Sequence, residues 1–119
     1  MQLYITENSQ LKEIQEGFNS IYPNLWLDFF YRSPNGPGQV KQLKANPETL
    51  IQSLSPVKGV QTIDISSTRQ ISALEHDLRN RLTIEVRILR KSANVWVETM
   101  YTGNWTLENQ NFEGGQIAM

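Results

Sequence analysis

Apolar and polar positions along the chain follow two rhythms. Leu3 and Ile5 alternate with Tyr4 and Thr6, the period of a half-buried strand. Leu11, Ile14, Phe18 and Ile21 then recur at steps of three and four, which sets them on one stripe of an amphipathic helix. Asn8 or Ser9 stands where a helix cap belongs, and Pro23-Asn24 where the helix stops. The aromatic run Leu25-Trp26-Leu27-Asp28-Phe29-Phe30-Tyr31-Arg32 predicts a second strand. Ser33-Pro34-Asn35-Gly36-Pro37-Gly38 predicts a loop.

The same rhythms return farther along. Gln61-Thr62-Ile63-Asp64-Ile65 reads as a strand, and Ser67 or Thr68 as a cap, with Gln70 placed for a capping box with Ser67. Ile71, Leu74 and Leu78 form a helical stripe, and Ile84, Val86 and Ile88 alternate with Thr83, Glu85, Arg87 and Leu89 in a strand over 82–90. Leu11, Ile14 and Phe18 lie sixty positions before Ile71, Leu74 and Leu78. Residues 3–32 and 60–90 therefore read as two weakly duplicated βαβ units. Between them, Asn46-Pro47-Glu48 predicts the start of a short helix carrying Leu50, Ile51 and Leu54 and ending at Pro56. After the second unit, Lys91-Ser92-Ala93 turns the chain into an antiparallel strand over 94–101. Thr106 to Phe112 predicts a short terminal helix, ended by Gly114-Gly115.

This order, β-α-β-(α)-β-α-β-β with a terminal helix, fits a single domain spanning residues 1–119. Right-handed crossovers in both units predict an α+β fold, a ferredoxin-like two-layer sandwich of two βαβ units with an extra C-terminal hairpin strand. The strands are not continuous apolar runs, which argues against a sheet buried on both faces.

A two-layer sandwich leaves one sheet face without helices. With Leu25, Leu27, Phe29, Ile84, Val86 and Ile88 turned inward, Trp26, Asp28, Phe30 and Arg32 point outward beside Glu85, Arg87 and Leu89. Inward Val95 and Val97 add Trp96, Glu98 and Met100, and Tyr4 joins from the first strand. Each large aromatic carries about 150–250 Å² of surface, so three together exceed the apolar patch a monomer normally exposes. The face should therefore be covered by the middle helix or C-terminal segment, by a second copy, or by a ligand or partner protein. The leading reading is a homodimer or partner-protein contact through Trp26, Asp28, Phe30, Arg32, Glu85, Arg87, Trp96 and Glu98, a set whose tryptophan, phenylalanine and arginine are types enriched at interfaces. The alternative is a small-molecule or peptide site on the same face.

Composition narrows the chemistry. The absence of cysteine excludes disulfides, thiol catalysis and zinc–cysteine or iron–sulfur sites. A net charge of −1 argues against nucleic acid as a partner. Charge is uneven, however. Residues 69–91 hold six basic and three acidic side chains, net +3, and residues 92–119 hold three acids and no base, net −3. The simplest consequence is that the acidic segment folds back beside the basic one. His76, the one histidine, points away from the Leu74 and Leu78 stripe and reads as a surface residue. Asn35-Gly36-Pro37-Gly38 lacks the Lys-Ser/Thr of a phosphate loop. No catalytic, metal or cofactor site is expected, and the role reads as non-enzymatic. An enzyme working with carboxylates alone would need Asp28, Glu85 or Glu98 in a cleft with a raised pKa. No leader or membrane-length apolar run is present, which predicts a cytoplasmic setting with no membrane contact.

Overall fold

Pairing between the two units organises the chain. A computed structural model describes residues 1–34 and 36–116; Asn35 of the expected loop and residues 117–119 lie outside it. The strands are β1 (Gln2–Thr6), β2 (Leu25–Pro34), β3 (Val40–Lys44), β4 (Val60–Asp64), β5 (Glu85–Ser92) and β6 (Val95–Glu98). The helices are α1 (Leu11–Ile21), α2 (Ile71–Leu82) and α3 (Leu107–Gly114). β1 and β4 form a two-stranded ribbon, and a second sheet has the order β3-β2-β5-β6. Every pairing is antiparallel.

The α+β class holds, but the single ferredoxin-like sheet does not form. Each unit sends its first strand to the ribbon and its second to the larger sheet. Like strands then meet across the two units, and both pairs run antiparallel, as a twofold rotation about an axis perpendicular to the strands would place them. Hydrogen bonds follow the same relation. Gln10 bridges Leu50, and Gln70 bridges Thr106. Leu11 N–H donates to Thr49 O at 2.9 Å, as Ile71 N–H does to Trp105 O at 3.0 Å. Ile51 N–H donates to Ser9 O at 2.8 Å, as Leu107 N–H does to Arg69 O at 2.9 Å.

The core forms where the stripes meet the strands. α1 contacts β1 and β2, and α2 contacts β4 and β5. Leu11, Ile14 and Phe18 from α1 and Ile71, Leu74 and Leu78 from α2 are buried with Leu25, Leu27, Phe29, Val86 and Ile88. Burying one such side chain is worth about 1.5–3 kcal/mol, so these residues hold both helices on one face of the larger sheet.

Several local expectations change. Gln10 and Gln70 are the N-cap residues, in place of Asn8 or Ser9 and Ser67 or Thr68. The Ser9 hydroxyl instead accepts from Thr6 N–H at 3.0 Å, closing the turn after β1. The middle helix is absent. Asn46 Oδ1 accepts from Glu48 N–H at 2.9 Å and Asn46 O from Thr49 N–H at 3.0 Å, which closes a turn, and only a 3-10 turn follows at Ile51–Ser53. β3 occupies a stretch without a strand reading. β6 stops at Glu98, and Met100 and Tyr101 fall in a second 3-10 turn. The terminal helix forms as expected, with the Thr106 hydroxyl accepting from Asn109 N–H at 3.2 Å.

α3 docks over the start of β2. Asn24 N–H donates to Asn111 Oδ1 at 2.9 Å, and Asn24 Nδ2 donates to Asn111 O at 3.0 Å. Arg90 Nη1 donates to Gln110 Oε1 at 3.2 Å, and the Arg90 guanidinium lies 5.7 Å from the Trp105 ring centre. The acidic C-terminal segment thus lies beside the end of the basic strand.

Candidate functional site

Directly opposed residues on antiparallel strands share a face. Asp28 opposes Arg87, Phe30 opposes Glu85, and Trp26 opposes Leu89. Leu89 opposes Glu98, and Lys91 opposes Trp96. Phe30 opposes Lys44, and Arg32 opposes Gln42. Trp26, Asp28, Phe30, Arg32, Glu85, Arg87, Trp96 and Glu98 therefore all lie on the face away from Leu25, Leu27, Phe29, Val86 and Ile88. Tyr4 does not join them, because β1 belongs to the ribbon, and Met100 does not, because β6 ends before it.

Two aromatic contacts shape this face. The Trp26 and Trp96 rings are 6.0 Å apart, centre to centre, and tilted by 31°. They sit on β2 and β6, so they meet across β5. The Arg87 guanidinium lies over the Phe30 ring at 5.4 Å, a cation–π contact. Trp96 is 41% exposed, and Arg32 and Glu98 are exposed. α1 and α2 pack on the opposite side, and α3 holds Arg90, which points to that side with Ile88. The segment 46–48 borders the face at Trp26, where it lines a shallow cleft with Lys12, Gln15 and Glu16 of α1.

Its carboxylates are paired. Arg79 Nε donates to Glu85 Oε1 at 2.7 Å, and Arg87 Nη1 donates to Glu98 Oε1 at 3.0 Å. Asp28, buried between Trp26 and Phe30, has Lys44 Nζ at 3.3 Å from Oδ2. None of the three stands as an unpaired acid in a cleft.

One acid that the sequence reading did not single out is perturbed. Glu75, on α2, accepts from Ile88 N–H at 2.9 Å. Burial pushes its carboxyl above the usual glutamate range, against the Ile88 hydrogen bond and the nearby Arg79 charge, which lower it. It lines a small cleft of about 210 Å³ with Arg79, Glu85, Arg87 and Glu98. The available signal was position: Glu75 follows Leu74 at the edge of the apolar stripe, where a long polar side chain reaches the neighbouring strand.

A larger, open cleft of about 740 Å³ lies at the other end of the face. Phe30, Arg32 and Glu85 reach it from the sheet, Leu54 from the 3-10 turn, and Arg79 and Thr83 from the end of α2. Thr83 caps α2 with a φ of 55°, a left-handed conformation uncommon for a β-branched residue. His76 is exposed and bonds Asn80 at 3.0 Å. Among the described residues, no cluster of three or more His, Asp or Glu side chains is arranged to hold a metal ion, and no helix is long and apolar enough to cross a membrane. No protein-family model, curated protein or solved structure matches this chain, so its functional reading rests on its own geometry.

Proposed function

We propose that this protein is a non-enzymatic interaction module that self-associates as a homodimer through the outer face of the four-stranded sheet. The observation that carries the reading is the Trp26–Trp96 contact on the sheet face opposite the buried stripes of α1 and α2, with Trp96 still 41% exposed. Tryptophan, phenylalanine and arginine are the side chains that dominate interface energetics when a partner dehydrates them. The face also carries both signs of charge. Arg32, Lys44, Arg87 and Lys91 lie among Asp28, Glu85 and Glu98. A second copy rotated by 180° can set bases against acids, as a twofold contact requires. The ion pairs at Asp28, Glu85 and Glu98 favour binding over acid–base catalysis for this face.

The test is absolute molar mass by light scattering on a sizing column over a range of concentrations. The proposal predicts a stable mass near twice 13.7 kDa, and Trp96→Glu reduces it to one chain. A monomer at every concentration contradicts self-association and leaves the face to a ligand or to a different protein.

A further inference from the structure

The 740 Å³ cleft falls within the range of small-molecule sites, about 300–1,000 Å³. Its apolar wall is fixed in place, because Tyr31, Leu54 and Ile84 all pack against the core. Phe30 adds a second aromatic ring from the outer face. The polar side of the cleft is cationic: Arg32 and Arg79 stand against one acid, Glu85. Glu85 is already held by Arg79 at 2.7 Å, and Glu75 lies 3.8 Å from Arg79. Arg32 makes no ion pair among the described residues.

A helix C-terminus beside an anion would oppose binding, but two of the carbonyls at the end of α2, those of Arg79 and Leu82, are occupied. Ser55 Oγ donates to Leu82 O, and Thr83 N–H donates to Arg79 O at 2.8 Å. We propose that this cleft binds a small aromatic carboxylate. Its ring lies along Phe30, Tyr31 and Leu54, and its carboxylate takes the fork of Arg32, whose planar guanidinium suits a two-oxygen acceptor. This site shares Phe30, Arg32 and Glu85 with the proposed dimer face, so a second copy competes with the ligand there, and Trp96→Glu leaves the site fully open.

The test is a titration of 2-naphthoate into ¹⁵N-labelled protein, followed by amide correlation spectra, with 2-naphthalenemethanol as the uncharged control. It is run on the wild type and on Trp96→Glu, whose folding is read from the dispersion of its spectrum. The site predicts saturable shifts at the amides of residues 30–32, 53–54 and 83–85, and weaker binding of the alcohol. Arg32→Gln weakens the carboxylate about tenfold or more, the range for a lost hydrogen bond to a charged group. Absence of saturable shifts in both chains, shifts confined to the Trp26 and Trp96 region, or equal binding by Arg32→Gln each overturns the proposal. Failure of the dimer is read separately, from the molar mass.

Discussion

Gln15 and Glu75 occupy equivalent places on α1 and α2, and each ties its helix to the strand that follows. Gln15 Nε2 donates to Leu27 O at 2.7 Å, and Glu75 Oε2 accepts from Ile88 N–H at 2.9 Å. The two side chains are sixty positions apart and their targets sixty-one, because α2 has 12 residues and α1 has 11. Both targets lie where an outer strand has just ended: β3 at Lys44, opposite Phe30, and β6 at Glu98, opposite Leu89. An uncovered backbone group inside a packed fold needs a partner, and the helix supplies it in both halves.

This relation has a pH signature in the second half. Glu75 holds its proton more tightly in the native state than in the unfolded chain, because burial raises its pKa. Its stabilising contribution is complete below the ordinary glutamate value and is lost as pH rises through the raised native value. Glu75→Gln keeps an acceptor for Ile88 N–H and removes the titration. In urea unfolding from pH 4 to 8, the stability of wild type minus that of Glu75→Gln should fall as pH rises. Asp77 works in the opposite sense: burial raises its pKa, but hydrogen bonds and charge from Arg81 and Arg69 outweigh it and lower the value. Asp77 is common to both chains and drops out of the difference. A difference that is flat, or that grows with pH, contradicts the assignment.

The docking of α3 is tested at Gly114. A Cβ there would stand 2.8 Å from Asn24 Cβ and 3.0 Å from Asn24 O. Gly114→Ala should therefore push α3 off the start of β2 and destabilise the fold by about 1–3 kcal/mol, as overpacking does. Chemical denaturation reads this directly. A neutral Gly114→Ala would mean that α3 rests on this strand without close contact.

The β5–β6 hairpin holds a second backbone test. Ala93 turns between the strands with a φ of 54°. An alanine there costs about 1–2 kcal/mol, and glycine returns part of that gain as unfolded-state entropy. Ala93→Gly should raise stability by about 0.5–1 kcal/mol in urea unfolding and leave β6 paired. Lower stability would show that the turn has another geometry.

The sheet face was legible because its information is local. In β2, Trp26, Asp28 and Phe30 alternate with Leu25, Leu27 and Phe29, and alternation alone sorts them onto two sides. The helical stripes were legible for the same reason. Strand pairing was not, since alternation says nothing about which strand lies alongside, and β1 finds β4 more than fifty residues away. β3 carries two lysines and only two apolar residues in five, so it reads as polar; its pairing with β2 supplies the strand. Asn46-Pro47-Glu48 carries a true capping signal, but the Asn46 side chain spends it on a turn. Gln15 and Glu75 escaped notice because their role is to reach a backbone group on another element, which no local pattern records.

The central claim is that a second copy covers Trp26 and Trp96, and isotope-filtered NOE spectroscopy on a mixture of labelled and unlabelled chains tests it most directly. The account predicts intermolecular contacts to the Trp26 and Trp96 indole protons and to the Phe30 ring, all lost in Trp96→Glu. Intermolecular contacts confined to Phe112 of α3 or to the β1–β4 ribbon, or none at concentrations where the mass is doubled, would contradict it.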